Sequence, residues 1–120
     1  MIPVSRSIAL LLLVGVFVSA CNLRQPPPPG ANGATIYRLQ NCANCHGENR
    51  EGKSLGPKLL GLQKHWDPEA LASFLSNPKD FLGRDERLAQ LEKSYPGSMS
   101  RYDNLSKEQR LVLAEWLLVP

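Results

Sequence analysis

Two cysteines and a histidine stand within five residues of one another, in the run Cys42-Ala43-Asn44-Cys45-His46. Thiols at this spacing can each add to one vinyl group of a porphyrin, and the imidazole that follows can then bind the iron. The motif therefore predicts one covalently attached haem c. Cys42 and Cys45 would form the thioether bonds, and His46 would be the proximal axial ligand.

A C-x-x-C pair can also form half of a zinc site or a thiol–disulfide redox pair. Zinc needs further nitrogen or sulfur ligands, and the remaining candidates in the chain are Cys21 and His65. A thioredoxin-like pair needs a βαβ context, for which the sequence gives no sign. Haem is the favoured interpretation, with zinc and thiol redox as the alternatives.

The sixth coordination position of a haem iron needs a second candidate ligand. Apart from Met1, Met99 is the one methionine of the chain. Methionine usually fills gaps in a core, but Met99 stands in a polar run between Gly97 and Arg101. A thioether ligand raises the reduction potential of the iron. We predict Met99 as the distal ligand, with His65 as its rival and an open sixth position as the third possibility.

The N-terminal segment has the pattern of an export signal. Arg6 precedes an apolar run from Ile8 to Val18, which is shorter than the roughly 20 residues of a membrane-spanning helix. Residues 1–20 are therefore predicted to be a signal peptide. The sequence Val18-Ser19-Ala20-Cys21 resembles the bacterial lipobox, which implies cleavage before Cys21 and lipidation of its thiol. The alternatives are an ordinary signal peptide and an uncleaved anchor.

Lipidation at Cys21 implies a protein anchored to a bacterial membrane and facing the periplasm or another extracytoplasmic space. Multiple acyl chains on one residue give stable membrane attachment. One lipidated and two haem-bound cysteines account for all three cysteines in the chain, so no disulfide is expected.

Composition and charge limit the remaining functions. Without residues 1–20 the formal net charge falls from +3 to +2, because Arg6 is lost. The sequence has no basic patch that would favour nucleic acid as a partner. The remaining length fits one domain, and a buried haem would supply apolar surface that a core of this size lacks.

A tether is predicted between the anchor and the domain, over residues 21–32. The four prolines at residues 26–29 favour polyproline II, a semi-rigid spacer that would reach about 35 Å at most. The segment would then hold the domain clear of the lipid headgroups. A leader without a geometric role is an equal alternative.

An all-α domain is predicted over residues 33–120, since no segment shows sustained period-2 alternation. Capping residues, prolines and apolar spacing predict these elements: a helix at 33–41, a loop at 47–66, a helix from N-cap Asp67 to Asn77-Pro78, a helix at 85–93 with Leu88 and Leu91 inward, a turn at 95–98, and a helix from Ser106, with a capping box to Gln109, to the C terminus.

The ordered set of motifs over residues 31–119 resembles the class I cytochromes c, the small monohaem electron carriers of bacteria. Gly33 and Tyr37 are similar to the glycine and the aromatic residue that pack against the last helix in that family, with Trp116 as the expected partner. Gly56-Pro57 is similar to the Gly-Pro of the family. The resemblance implies that the Pro57 carbonyl accepts a hydrogen bond from Nδ1 of His46 and orients its ring.

Two positions depart from the family pattern. Ser100 follows Met99, where the family often has proline, which implies a looser loop. Tyr37 lies five residues before Cys42, where four is common, which implies a small difference in helix register.

The resemblance implies a membrane-tethered one-electron carrier in a respiratory chain, which exchanges electrons with redox partner proteins and is not an enzyme. No small-molecule substrate is expected. Two alternatives remain: a haem c subunit of a larger membrane oxidoreductase complex, and a sensor or peroxidase-like protein with an open sixth site.

Overall fold

The computed structural model describes residues 24–120. The predicted signal peptide and the predicted lipidation site Cys21 lie outside the described residues. Over residues 24–120 the chain forms helices and turns, one isolated bridge between Lys53 and Gly56, and no β-strand. The predicted all-α fold class is confirmed. Within this part of the chain, no helix has both the length and the hydropathy needed to cross a bilayer.

The helices, in chain order, are α1 (Gly33–Leu39), α2 (Ala43–His46), α3 (Pro68–Ser76), α4 (Lys79–Leu82), α5 (Glu86–Ser94) and α6 (Lys107–Leu117), with a 3₁₀ turn at Leu62–Lys64 between α2 and α3.

Side-chain caps start the longer helices, because each cap binds a backbone N–H group that the first turn leaves free. Asn32 accepts a hydrogen bond from the N–H of Thr35, and Asp67 accepts one from Ala70. Ser106 and Gln109 form both bonds of a capping box. The helix starts predicted at Asp67 and Ser106 are confirmed.

Helix ends and short helices differ from the sequence prediction. The first helix ends at Leu39, not at residue 41, and Asn41 adopts a left-handed backbone conformation with φ of 60°. The last helix ends at Leu117 rather than at the C terminus. Pro78 both ends α3 and begins α4, which the sequence prediction did not include. Helix α2 was also not predicted.

The core lies where α6 packs against α1 and α3. Gly33 at the start of α1 approaches Trp116 of α6 closely: a Cβ at Gly33 would lie 2.1 Å from Cβ and 2.6 Å from Cγ of Trp116. The rings of Tyr37 and Trp116 pack with their centroids 5.2 Å apart. The contact that the sequence suggested between these residues is therefore present. The buried apolar residues of the core are Ile36, Tyr37, Cys42, Ala43, Leu71, Ala72, Leu75, Tyr102, Leu105, Leu113, Ala114 and Leu117.

The Arg50 side chain caps the C-terminal end of α6. Its Nη1 donates to the carbonyl oxygens of Trp116, Leu117 and Val119, at 3.3, 3.4 and 3.0 Å. The guanidinium also lies over the Trp116 ring, 4.6 Å from its centroid. A helix leaves its last carbonyl groups without intrahelical partners, and a cation at this end is favourable. Arg50 therefore ties the loop after α2 to the end of the last helix.

The close approach of α1 to α6 makes Gly33 a sensitive position. We expect Gly33→Ala to lower the free energy of unfolding by about 1–3 kcal/mol, because the added methyl group overlaps Trp116 and α1 must move outward. Gly83→Ala is the matched control, since no atom lies within 4 Å of the position its Cβ would take. Denaturant unfolding of the two variants and the wild type measures both effects. Equal stability of the two variants would contradict the packing described.

Candidate cofactor site

A cavity of about 1090 Å³ lies beside the core. Its wall brings together residues that are far apart in the sequence, from the loops on both sides of α3 and from α2 and α5. The predicted site residues that line it are Cys42, Cys45, His46, Pro57, His65 and Met99. One cavity thus collects every site residue predicted within the described part of the chain.

Helix α2 positions the two thiols. Cys42 is its N-cap residue and Cys45 lies in its only turn, and residues three apart in a helix share one face. Cys42 is buried and Cys45 is exposed. Burial raises the pKa of the Cys42 thiol to about 11. Both sulfur atoms can therefore reach one cofactor, Cys42 from the inner wall and Cys45 from the outer edge.

His46 is held at the end of α2 by a backbone carbonyl. Its Nδ1 lies 2.7 Å from the Pro57 oxygen, so that nitrogen donates its proton to Pro57 and Nε2 is left for a metal. Burial lowers the pKa of His46, and the bond to Pro57 opposes this shift only in part. The neutral imidazole, which is the form that binds metals, is therefore favoured.

Gly56 allows the Pro57 loop to approach His46. A Cβ at Gly56 would lie 2.9 Å from the Cys45 carbonyl oxygen and 3.2 Å from Cε1 of His46. Both distances are shorter than an ordinary van der Waals contact. Gly56 therefore provides the space for the close approach, and Pro57 provides the carbonyl that accepts a hydrogen bond from the His46 ring.

Met99 and His65 both line the cavity, but their surroundings differ. Met99 is half-buried and packs against the core residues. His65 is exposed, in the loop that follows the 3₁₀ turn. Burial favours an apolar thioether over a polar imidazole. This contrast favours Met99 as the second group that faces a cofactor.

Tyr102 is a neighbour of the Cys42 thiol that was not predicted from the sequence. It is buried, its hydroxyl interacts with the Cys42 thiol, and burial raises its pKa to about 12. Three aromatic rings form a second feature that was missed: Trp66 lies 5.1 Å from Phe74 and 5.8 Å from Phe81, between ring centroids. No local sequence signal marks either feature, because both depend on contacts between separate segments.

The residues of the cavity fit a covalently held porphyrin. Two thiols on one helical face, one oriented imidazole and a thioether share a single wall with apolar side chains, which include Leu55, Leu59, Leu60, Leu62, Leu71 and Leu75. Among residues 24–120, no cluster of three or more histidine, cysteine and carboxylate side chains forms a metal site.

A family model described as Cytochrome c matches residues 30–119. The chain belongs to the cytochrome c family. Its cofactor is therefore covalent haem c, and Cys42 and Cys45 occupy the cysteine positions of the C-x-x-C-H motif. This decides between haem and the zinc and thiol-redox alternatives. Searches of curated proteins and of solved structures found no match.

Membership in the family makes this cytochrome c a haem-based electron carrier that works with redox partner proteins. The protein binds and orients the cofactor and tunes it electrostatically. The chain holds one C-x-x-C-H motif, at the wall of the cavity described above.

We expect the double variant Cys42→Ser/Cys45→Ser of this cytochrome c to lose covalent haem, because neither hydroxyl forms a thioether. The protein should then lose most of its folded structure, since the cavity is left without the surface that fills it. Haem staining after denaturing electrophoresis measures attachment, and circular dichroism measures folding. Cys21→Ser is the matched control and should keep its haem. Haem that stays attached to the double variant would contradict the assignment.

Proposed function

We propose that this cytochrome c is a membrane-tethered one-electron carrier of a respiratory chain, with His46 and Met99 as axial ligands and a lipid anchor at Cys21. The observation that carries the proposal is that His46 and Met99 line the same cavity as the two thiols. Two protein ligands on one iron leave no coordination position for a substrate, which is the arrangement that an electron carrier needs.

Met99 is preferred to His65 because of its position relative to the core. Its side chain packs against buried apolar residues, whereas His65 is exposed to water. Ligation by a thioether replaces no strong hydrogen bond to water, and it raises the reduction potential relative to two histidine ligands. Met99 also lies between α5 and α6, in a segment separate from the one that carries His46.

When bound, haem c supplies a one-electron Fe(III)/Fe(II) couple. The residues of the chain provide its setting. Pro57 fixes the orientation of the His46 ring and strengthens Nε2 as a donor. The buried leucines of the wall, Leu71 and Leu75, keep water from one side of the cavity, which favours the less charged state of a buried redox centre.

The mouth of the cavity offers a contact for redox partners. Leu55 and Leu60 line the cavity, yet they are 52% and 43% exposed. Exposed apolar side chains at the edge of a redox site can form a small, weak interface, and interfaces of this kind suit fast electron transfer and release. A partner protein of the membrane chain would dock here.

The lipid anchor is supported by the lipobox-like run Val18-Ser19-Ala20-Cys21. Export across the bacterial cytoplasmic membrane agrees with the C-x-x-C-H motif, because c-type haem is attached on the outer side of that membrane. Anchoring on that side would confine the search for a partner to the membrane plane.

We expect Met99→Ala to keep haem attached but to lose the weak sulfur-to-iron charge-transfer band of the oxidised protein. The reduction potential should fall by on the order of 100 mV, a part of the roughly 0.8 V range that axial ligands control. The reduced variant should also bind carbon monoxide, which needs an open position. His65→Ala is the matched control and should leave band and potential unchanged. If the band persists in Met99→Ala and is lost in His65→Ala, the ligand assignment is wrong.

We expect Cys21→Ser to release the protein from the membrane into the soluble fraction, with its haem and potential unchanged. Fractionation followed by haem staining measures this. The mass of the wild-type N-terminal peptide should include the acyl chains. Retention of the variant on membranes would count against lipidation.

Extraction of the wild-type protein in mild detergent distinguishes a carrier from a fixed subunit. A carrier comes away alone, whereas a fixed subunit co-purifies with stoichiometric partners.

A further inference from the structure

The first described residues bind the surface of the domain. We call residues 24–30 the N-terminal strap. At its start, Nη1 of Arg24 donates to the Arg101 carbonyl oxygen at 2.7 Å, and the guanidinium lies over the Tyr102 ring, 4.1 Å from its centroid. A cation above an aromatic ring is attracted by the negative face of the ring. The strap therefore begins with a fixed side chain.

The backbone of the strap is bound by two glutamine side chains. Nε2 of Gln40 donates to the Gln25 carbonyl at 2.9 Å, and Nε2 of Gln109 donates to the Pro27 carbonyl at 3.3 Å. A proline-rich segment offers carbonyl acceptors and few N–H donors, so donor side chains are the groups that can bind it.

Gln40, which binds the strap, is itself held in place by the fold. Gln40 is 1% exposed, and its Oε1 accepts a hydrogen bond from Asn104 Nδ2 at 2.9 Å. Pro27 is buried, whereas Pro26 and Pro29 are exposed. The Pro27 ring therefore packs into the surface of the domain, whereas the rings of Pro26 and Pro29 face the solvent.

A turn fixes the far end of the strap. The N–H of Ala31 donates to the Pro28 carbonyl at 3.1 Å, and Gly30 has a φ of 76°. This is the arrangement of a type II turn, in which proline precedes a glycine with positive φ. The turn leads directly to Asn32, the N-cap of α1. Apart from Gly30, the strap lies outside the residues that match the family model.

The docked strap changes the length of free chain between the anchor and the domain. If residues 21–32 were an unbound spacer, Cys21 could lie about 35 Å from the domain. With Arg24 bound, three residue steps remain, and a fully extended chain covers about 10 Å over that length.

We propose that the strap holds the face of the domain around Arg24, Arg101 and Tyr102 against the lipid surface in which the acyl chains of Cys21 are embedded. The proposal rests on the lipidation proposed above. The exposed Arg101 and Asp103, an ion pair at 3.3 Å, give this face a polar character that suits contact with headgroups. The domain is then held at the membrane in a restricted orientation.

Proteolysis tests whether the strap is docked. Trypsin cleaves after arginine, and cleavage at Arg24 would free the domain from its anchor. In membranes that carry the full-length holoprotein, we expect slow release of a haem fragment that begins at Gln25. Pro27→Gly should speed this release about tenfold, because a loosened strap opens more often. Pro28→Gly removes an exposed proline ring and keeps the carbonyl that accepts from Ala31, so it should match the wild type. Equal and rapid release from all three proteins would overturn the docked strap.

Quenching of a headgroup fluorophore by the haem tests the distance. The lipidated holoprotein is placed in vesicles of neutral phospholipid with a trace of labelled lipid. Insertion of ten Gly/Ser residues between Leu23 and Arg24 should reduce quenching severalfold, because it lengthens the free chain and leaves the strap bound. Pro27→Gly should reduce it as well, and Pro28→Gly should not. Quenching that the insertion leaves unchanged would overturn the proposal.

The lipid anchor and the role of the strap are tested by different results. A wild-type protein without acyl mass at Cys21 overturns the lipid anchor and, with it, the placement at the membrane. An acylated protein whose quenching is insensitive to the insertion overturns the role of the strap and leaves the anchor intact.

Discussion

The domain is built around a volume that its own side chains do not fill. A cavity of about 1090 Å³ in a chain of 120 residues leaves little apolar surface for a conventional core. The remaining core is concentrated where α6 meets α1 and α3. Because Gly33 has no side chain, the backbone of α1 lies close to the Trp116 side chain and the Val112 carbonyl oxygen of α6. The cofactor then completes the core and is not merely placed on it.

The domain holds His46 at the cavity wall through contacts with distant parts of the chain. The histidine ends a single-turn helix, which has little stability by itself. Its ring is fixed by Pro57, eleven residues away. The loop that carries Pro57 is closed by a bond from the N–H of Leu59 to the Arg50 carbonyl at 2.9 Å. Since the Arg50 side chain binds the end of α6, ligand orientation depends on the last turn of the last helix.

Features that depend on residues close together in the sequence could be predicted from the sequence. The caps at Asp67 and Ser106 are set within one helical turn, and the spacing of Cys42, Cys45 and His46 defines the attachment chemistry. The contacts of Arg50, Tyr102 and the residues that bind the strap could not be predicted, because their partners lie far away in the sequence. The proline run favours an extended conformation, but the sequence does not reveal that Gln40 and Gln109 bind it.

The position of α6 in the core has a consequence for the way in which the domain opens. Helices α1 and α3 pack against α6, and the Arg50 side chain has its acceptors there. Separation of α6 would therefore remove the partners of both helices and of the Arg50 side chain at once. The domain is expected to open as one cooperative unit rather than helix by helix.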